Sequence, residues 1–356
     1  VKKNYPDSKS DLFSCFIERG FQFITARGYT SMITMESWMF LSSFEKLRTS
    51  LIRKNSIITM VHMPYLGKGG TSLGINFGTA ATVLCKSHVS GYIAAFDRIS
   101  YYETDDEGVP FAFPVENEYY KYTNTDNFSK IPGAPVAYWV THNVYNIFTK
   151  FPPLSNFADP RQGLATGNDD EFLRYWFEPQ FSKLGVFIHS KEELWLQRKK
   201  YVPFNKGGPF RKWYGNNYYV IAFDQKAYDK LANQGNKLPS KKYYFLSGVT
   251  WSALTSSSFS GRYCSEGFVF AGKGPMCFAY ENEHIFKLIA LMNSNSFEFL
   301  YRLMSATMDF NQGPMRNIPY AISSQADALA QFCIKCAKED WNSFETSWNF
   351  KKHPMI

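Results

Sequence analysis

Residues 199–214 hold the densest set of groups that could do chemistry: Lys199, Lys200, Lys206, Arg211 and Lys212 alternate with Tyr201, Phe204, Phe210, Trp213 and Tyr214. Cationic side chains bind phosphates with salt-sensitive affinity, and aromatic faces stack on bases. Gly207-Gly208 offers backbone without side chains that can lie close to a sugar-phosphate chain. The pattern fits a polyanion footprint, Trp213 and Tyr214 included; the bland alternative is a solvated basic loop. Choosing a sequence requires side chains at base edges, and the spacing assigns none of these residues to that task.

Upstream, Thr166, Asn168, Asp169 and Asp170 precede Phe172-Leu173, the order of a helix cap. The same loop is expected to join two domains at a DNA cleft, with Thr166 and Asn168 as contacts. Lys68-Gly69-Gly70-Thr71 lacks the spacing of a phosphate loop and predicts a mobile loop, with Lys68 as a candidate phosphate contact. Phe77-Gly78 stands just before an apolar run, and its plainest reading is a core phenylalanine beside a turn. Cys333 and Cys336 fall in a helical pattern without a second Cys or His pair at finger-like spacing, so no metal site is expected. The six histidines are scattered, and no nucleophile, base or nuclease pattern stands out.

A chain of 356 residues with 45% apolar and 20% charged residues predicts two globular domains. No apolar run approaches the roughly 20 residues a bilayer span needs, so no membrane partner is expected. Six dispersed cysteines suit a reducing cytoplasm. The net charge of +8 suits a polyanion, and the aromatic content of 18% suits base stacking and a large aromatic core equally. An opening Val1 without an apolar signal core predicts a fragment of a longer protein.

The elements that must position these groups read as α/β. Residues 11–25 place Leu12, Phe13, Phe16, Ile17, Phe21 and Ile24 on one helical face, capped by Ser8 or Ser10. Strands are expected at 29–35, 56–62, 79–85 and 92–96, the last two as a hairpin or as neighbours, and a helix at 42–54 capped by Ser42 or Ser43. That order is the second half of an α/β sheet ending in an antiparallel pair. Prolines 132, 135, 152 and 153 put a boundary near 150. Beyond it, short aromatic segments at 218–223, 243–245 and 268–270 alternate with Gly and Ser turns, which predicts an irregular α+β domain. Helices are expected at 283–304 and 323–348.

Several ordered tracts carry a family resemblance. Asn4-Tyr-Pro-Asp-Ser-Lys-Ser-Asp-Leu-Phe13, Phe16-Ile-Glu-Arg-Gly20, Gly28-Tyr29 and Ile33-Thr-Met-Glu-Ser-Trp-Met-Phe40 resemble the stretch after the catalytic motif of amino-methyltransferases. Gly163-Leu-Ala-Thr-Gly-Asn-Asp-Asp-Glu-Phe-Leu-Arg174, Pro203-Phe-Asn-Lys-Gly-Gly-Pro-Phe-Arg-Lys-Trp-Tyr-Gly215, Gly248-Val-Thr-Trp-Ser252 and Met308-Asp-Phe-Asn-Gln-Gly-Pro-Met-Arg-Asn-Ile-Pro319 are similar to a recognition region. Together they resemble the PglX family, adenine-specific methyltransferases of BREX phage-defence systems that are related to type IIG restriction-modification enzymes.

The resemblance implies methyl transfer from S-adenosylmethionine to the amine of an adenine flipped out of double-stranded DNA, which marks host DNA. It makes the basic aromatic segment, with Lys199, Lys200, Lys206, Arg211, Lys212, Trp213 and Tyr214, a contact with DNA. Other phage-defence proteins are implied as further partners. The family's Asn-Pro-Pro-Tyr motif and glycine-bearing cofactor loop do not occur in this sequence. No catalytic residue is therefore assigned, and S-adenosylmethionine is expected to be held mainly by an upstream region. Phe77 occupies the place where related methyltransferases carry an aromatic or apolar residue against the flipped base. The implied fold is the C-terminal half of a Rossmann-like methyltransferase sheet in 1–150, a target-recognition domain in 151–322 and a helical tail in 323–356. The rivals are a type IIG enzyme with an upstream nuclease and a non-catalytic DNA-recognition subunit.

Overall fold

A computed structural model describes residues 1–65, 77–106, 109–235, 238–305, 307, 309–321 and 325–356. The chain divides into two compact units, Val1–Lys150 with Arg302–Ala306 and Phe151–Tyr301 with Thr307–Ile356.

The first unit contains, in order, α1 (Leu12–Gly20), β1 (Tyr29–Met35), α2 (Glu45–Lys54), β2 (Ser56–Met63), β3 (Thr79–Cys85), β4 (Ile93–Arg98), β5 (Lys121–Asn124) and α3 (His142–Lys150). Runs of β-branched and apolar residues give the strands their pleat, and they form one sheet in the order β1-β3-β2-β4-β5. β3 is antiparallel to both β1 and β2, and β4 is parallel to β2. β2 therefore separates β3 from β4, which corrects the expected hairpin. Residues 86–92 are a crossing, and β4 gains its antiparallel neighbour from β5 instead.

The expected apolar face of the first helix is also corrected. α1 stops at Gly20 and buries Ser14, Cys15, Ile17 and Gly20, whereas Leu12 and Phe16 are 61% and 60% exposed. It settles through its small residues, and its cap is Asp11, which accepts from Phe13 N; neither Ser8 nor Ser10 fills that place. Residues Ser42–Phe44 form a 3-10 turn before α2, which has no side-chain cap. α2 buries Leu47, Leu51 and Ile52. Its Arg48 is buried as well, donating to the carbonyls of Trp38, Leu41 and Gly133 at 2.6–2.9 Å.

The second unit runs β6 (Ala158–Arg161), α4 (Asp169–Phe172), β7 (Leu173–Tyr175), α5 (Lys191–Leu196), β8 (Tyr201–Asn205), β9 (Tyr219–Ala222), α6 (Gln225–Ala232), β10 (Gly248–Thr250), β11 (Arg262–Cys264), β12 (Val269–Phe270), β13 (Met276–Ala279), α7 (Ile285–Met292), α8 (Asn295–Met304, of which the residues from Arg302 group with the first unit), α9 (Gln312–Met315) and α10 (Ala326–Asn342). Among the described residues its strands make two sheets, β11-β10-β13-β6 and β12-β8-β9-β7. Phe172, Phe204, Phe223, Phe270 and Phe278 pack in one core with aliphatic neighbours, so much of the aromatic content is structural.

Residues 283–304 are not one helix. The chain breaks between α7 and α8, where Ser294 Oγ accepts from Phe297 N, and the Asn293 side chain turns away to bond both the N–H and the carbonyl of Gly261 at 2.8 and 3.0 Å. Residues 243–245 join a 3-10 turn at Lys241–Tyr243. α10 packs on α7 and buries Ala330, Ile334 and Trp341 in the second unit. Among the described residues no helix is long and apolar enough to cross a membrane.

Candidate nucleic-acid interface

The basic aromatic segment is a held loop. Backbone φ is positive at Gly207, Gly208, Trp213, Gly215 and Asn216, a conformation that is natural for glycine and uncommon for tryptophan. Gly207 also approaches the Lys273 carbonyl so closely that a Cβ there would lie 2.9 Å from it. Trp213 fixes the loop to β11, donating its N–H to Gly261 O at 2.8 Å and accepting from Tyr263 N at 2.7 Å.

The cations in and around this loop have partners. Lys206 pairs with Asp169 at 2.7 Å and lies 5.0 Å over the Tyr219 ring. Arg211 pairs with Asp340 of α10 at 3.1 Å and lies over Trp341. Lys212 donates to Asn293 O at 2.9 Å, where the last turn of α7 leaves carbonyls free. Lys199 donates to Ser182 O at 2.7 Å, and Lys200 lies over Tyr201. Trp213 is half-buried and Tyr214 is buried, with burial pushing its hydroxyl up to about 12. Arg211 and Lys212 thus anchor the loop, whereas Lys206 faces a cleft.

That cleft, of about 610 Å³, is lined by Thr166, Asp169, Lys206, Lys273, Asp309 and Asn311 among others, over a floor that includes Leu164 and Phe204. Asn168 caps α4 by accepting from Glu171 N, which fixes the loop carrying Thr166 and Asp169. Thr166 Oγ1 donates to the Asp169 carboxylate. Burial pushes the Asp169 carboxyl up, but Lys206 and Thr166 outweigh it and hold the group below its ordinary value. One Asp309 carboxylate oxygen is buried without a hydrogen-bond partner among the described residues. Donors, acceptors and apolar surface converge here, as recognition of a polar planar ligand requires.

Beneath the loop Arg262 is fully buried, and its closest polar contacts, to Arg211 O, Ser260 O and Ser252 Oγ, are 3.4–3.5 Å away. Burial pushes this guanidinium down to about 10.

In the first unit, Phe77 is 39% exposed beside Gly78 at the start of β3, so it does not occupy the core. Glu36 lies directly behind it: its N–H donates to Gly78 O at 2.8 Å, and a Cβ on Gly78 would fall 2.1 Å from the Glu36 carboxyl carbon. The same carboxylate meets His62 Nε2 at 2.6 Å, and His62 Nδ1 meets the Tyr138 hydroxyl at 3.0 Å. His62 had shown no partner in sequence. The signal was a carboxylate directly after an apolar strand, but Glu36 and Tyr138 stand 26 and 76 residues from His62. Lys68 lies outside the described residues. The hollow beside β1, lined by Ile17, Met32 and Trp38 among others, holds about 10 Å³. That is about one water and cannot take an adenosyl group, so no step through a methyl donor is derived from these residues.

Residues 1–67 match the family model of the Eco57I restriction-modification methylase. Over its full length the chain is 36% identical to the adenine-specific methyltransferase BrxX of Escherichia coli O9:H4 (strain HS). The chain is a relative of the BrxX/PglX methyltransferases. It is likewise 36% identical to the adenine-specific methyltransferase PglX of Lacticaseibacillus casei (strain Zhang). It spans 29% and 30% of the lengths of these two relatives. Among solved structures, the type IIL restriction-modification enzyme MmeI in complex with DNA aligns with 98% of this chain and 48% of its own, at 10% identity and a TM-score of 0.48.

Proposed function

We propose that this chain forms the closing part of the methyltransferase sheet and the target-recognition domain of a site-specific DNA adenine N6-methyltransferase. The enzyme uses S-adenosylmethionine and marks host DNA in BREX phage defence, in the cytoplasm and alongside other defence proteins. The observation that carries this reading is the 36% identity to two adenine-specific methyltransferases along the entire chain. The order β1-β3-β2, with its middle strand antiparallel to both neighbours, supports a Rossmann-like sheet end. Residues 1–150 then serve the base pocket, with Phe77 as one wall. Residues 151–322 grip the duplex through Lys206 and Thr166 at the cleft, through Asn168 on the adjoining loop and through the loop that Arg211 and Lys212 anchor. α10 braces that loop.

A second reading, a restriction-modification enzyme that also carries a nuclease, is favoured by the Eco57I methylase match. One experiment addresses both. DNA from cells with the intact gene and from a deletion strain is sequenced for N6-methyladenine. Loss of the mark at one motif in the deletion strain is expected. Identical methylomes would overturn the proposal, and cutting of unmethylated motif DNA by the purified enzyme would favour the second reading.

A further inference from the structure

In the second unit a row of side chains leads from an open face into the cleft. Phe177 stacks on Tyr175 with centroids 5.4 Å apart and planes 3° from parallel. Tyr175 stacks on Tyr219, its register partner across β7 and β9, at 5.0 Å and 25°. Lys206 lies 5.0 Å over Tyr219 and joins Asp169 at the cleft.

Trp176 and Phe177 follow β7 in a turn in which Glu178 N donates to Tyr175 O at 3.1 Å. Trp176 packs edge-on to both Trp348 and Phe177 and donates to Thr346 O, and the turn leaves the Phe177 ring parallel to that of Tyr175. Tyr175 and Phe177 are 43% and 63% exposed. Two parallel rings, the outer one 63% exposed, with an ammonium at the inner end match a planar aromatic ligand on an anionic backbone, and the cleft's side-chain acceptors suit the amino groups of a base. A base in a duplex already has both faces stacked, so these rings gain contact only with one that has left the stack.

We propose that Phe177, Tyr175 and Tyr219 form a stacking platform for an unpaired base of DNA, with the adjoining backbone running toward Lys206. This deepens the proposed function and rests on the reading that the second unit binds DNA.

The test uses the full chain with a 2-aminopurine-labelled single strand and, separately, the same sequence as a duplex. Stacking on the platform should quench 2-aminopurine emission when wild type binds the single strand. Phe177→Ala and Phe177→Leu should both weaken single-strand binding five- to hundred-fold, the range for losing one base-aromatic stack. They should leave duplex affinity within about two-fold. Phe177 is exposed, and matching thermal melts will show that the variants fold; the quenching measurement needs no variant. Phe177→Leu binding like wild type would overturn the proposal, since leucine keeps apolar contact of the kind a protein partner would use. So would a wild type that binds duplex but neither binds nor quenches the single strand. A wild type that binds neither form would overturn the DNA reading itself.

Discussion

The Glu36 carboxylate meets His62 and fills the space that a side chain at position 78 would need, and that double use can be tested by substitution. Gly78→Ala forces the carboxylate away from the new Cβ, which breaks the His62 contact. The expected cost is about 1–3 kcal/mol of unfolding free energy, from overpacking and a lost hydrogen bond. Gly78→Ala added to Glu36→Ala should cost well under 1 kcal/mol more, because the clash has already gone; additive losses in urea unfolding would show that the two residues do not share this constraint. The two buried arginines make a second contrast. Arg48→Met strands the carbonyls of Trp38, Leu41 and Gly133 and should cost about 3–5 kcal/mol. Arg262 bonds only at long range and meets no carboxylate among the described residues. Arg262→Met should therefore be neutral within about 1 kcal/mol or stabilising. A large loss in its melting curve would mean that the guanidinium holds the loop above it.

At the scale of elements, Asn293 decides where a helix ends. Its amide bonds both backbone groups of Gly261, and its own carbonyl receives Lys212. Asn293→Ala should cost about 2 kcal/mol and speed amide exchange at Gly261; unchanged exchange there would assign the break to Ser294 alone. The same residue shows what was legible in sequence. β1 and β3 stand at their expected bounds, because apolar and β-branched periodicity is local and strong. The break in 283–304 was not legible, since the competing partner of Asn293 lies 32 residues upstream. The insertion of β2 between β3 and β4 is likewise a long-range pairing that no local pattern encodes. Thr166, Asn168 and Lys206 were identified by residue type. The convergence of Thr166 and Lys206 on one cleft, the use of Asn168 as a cap, and the internal partners of Arg211 and Lys212 required the fold. Glu36, His62 and Tyr138 went unread for the same reason.

At the scale of the molecule, the second unit has an acid-sensitive tie. Asp159 is buried on β6 and accepts from Tyr243, Arg161 and Arg316, joining segments far apart in the chain. Burial pushes its carboxyl up, but Tyr243, Arg161 and Arg316 outweigh this and hold it below its ordinary value. A depressed folded pKa contributes stability that is present above the unfolded value, about 3.9, and is lost as pH falls through the folded value. Asp159→Asn should cost about 2 kcal/mol at neutral pH, and the gap to wild type should begin to narrow near the unfolded value of about 3.9 and keep narrowing as pH falls toward the lowered folded one. A gap that does not narrow with acid in urea titrations would mean that packing, not charge, is what the substitution removes. On the function proposed for the second unit, the pairing of Arg211 with Asp340 bears on the exchange of recognition domains between enzymes. A graft that stops near residue 322 would transplant the loop without the helix that braces it, and the recipient would supply an unmatched one. A graft of 151–356 keeps the brace but imports Arg302–Ala306, five residues that group with the donor's first unit. A working chimera should thus need either a third crossover or recipient residues restored at 302–306, so specificity in this lineage should move between enzymes as a patched cassette.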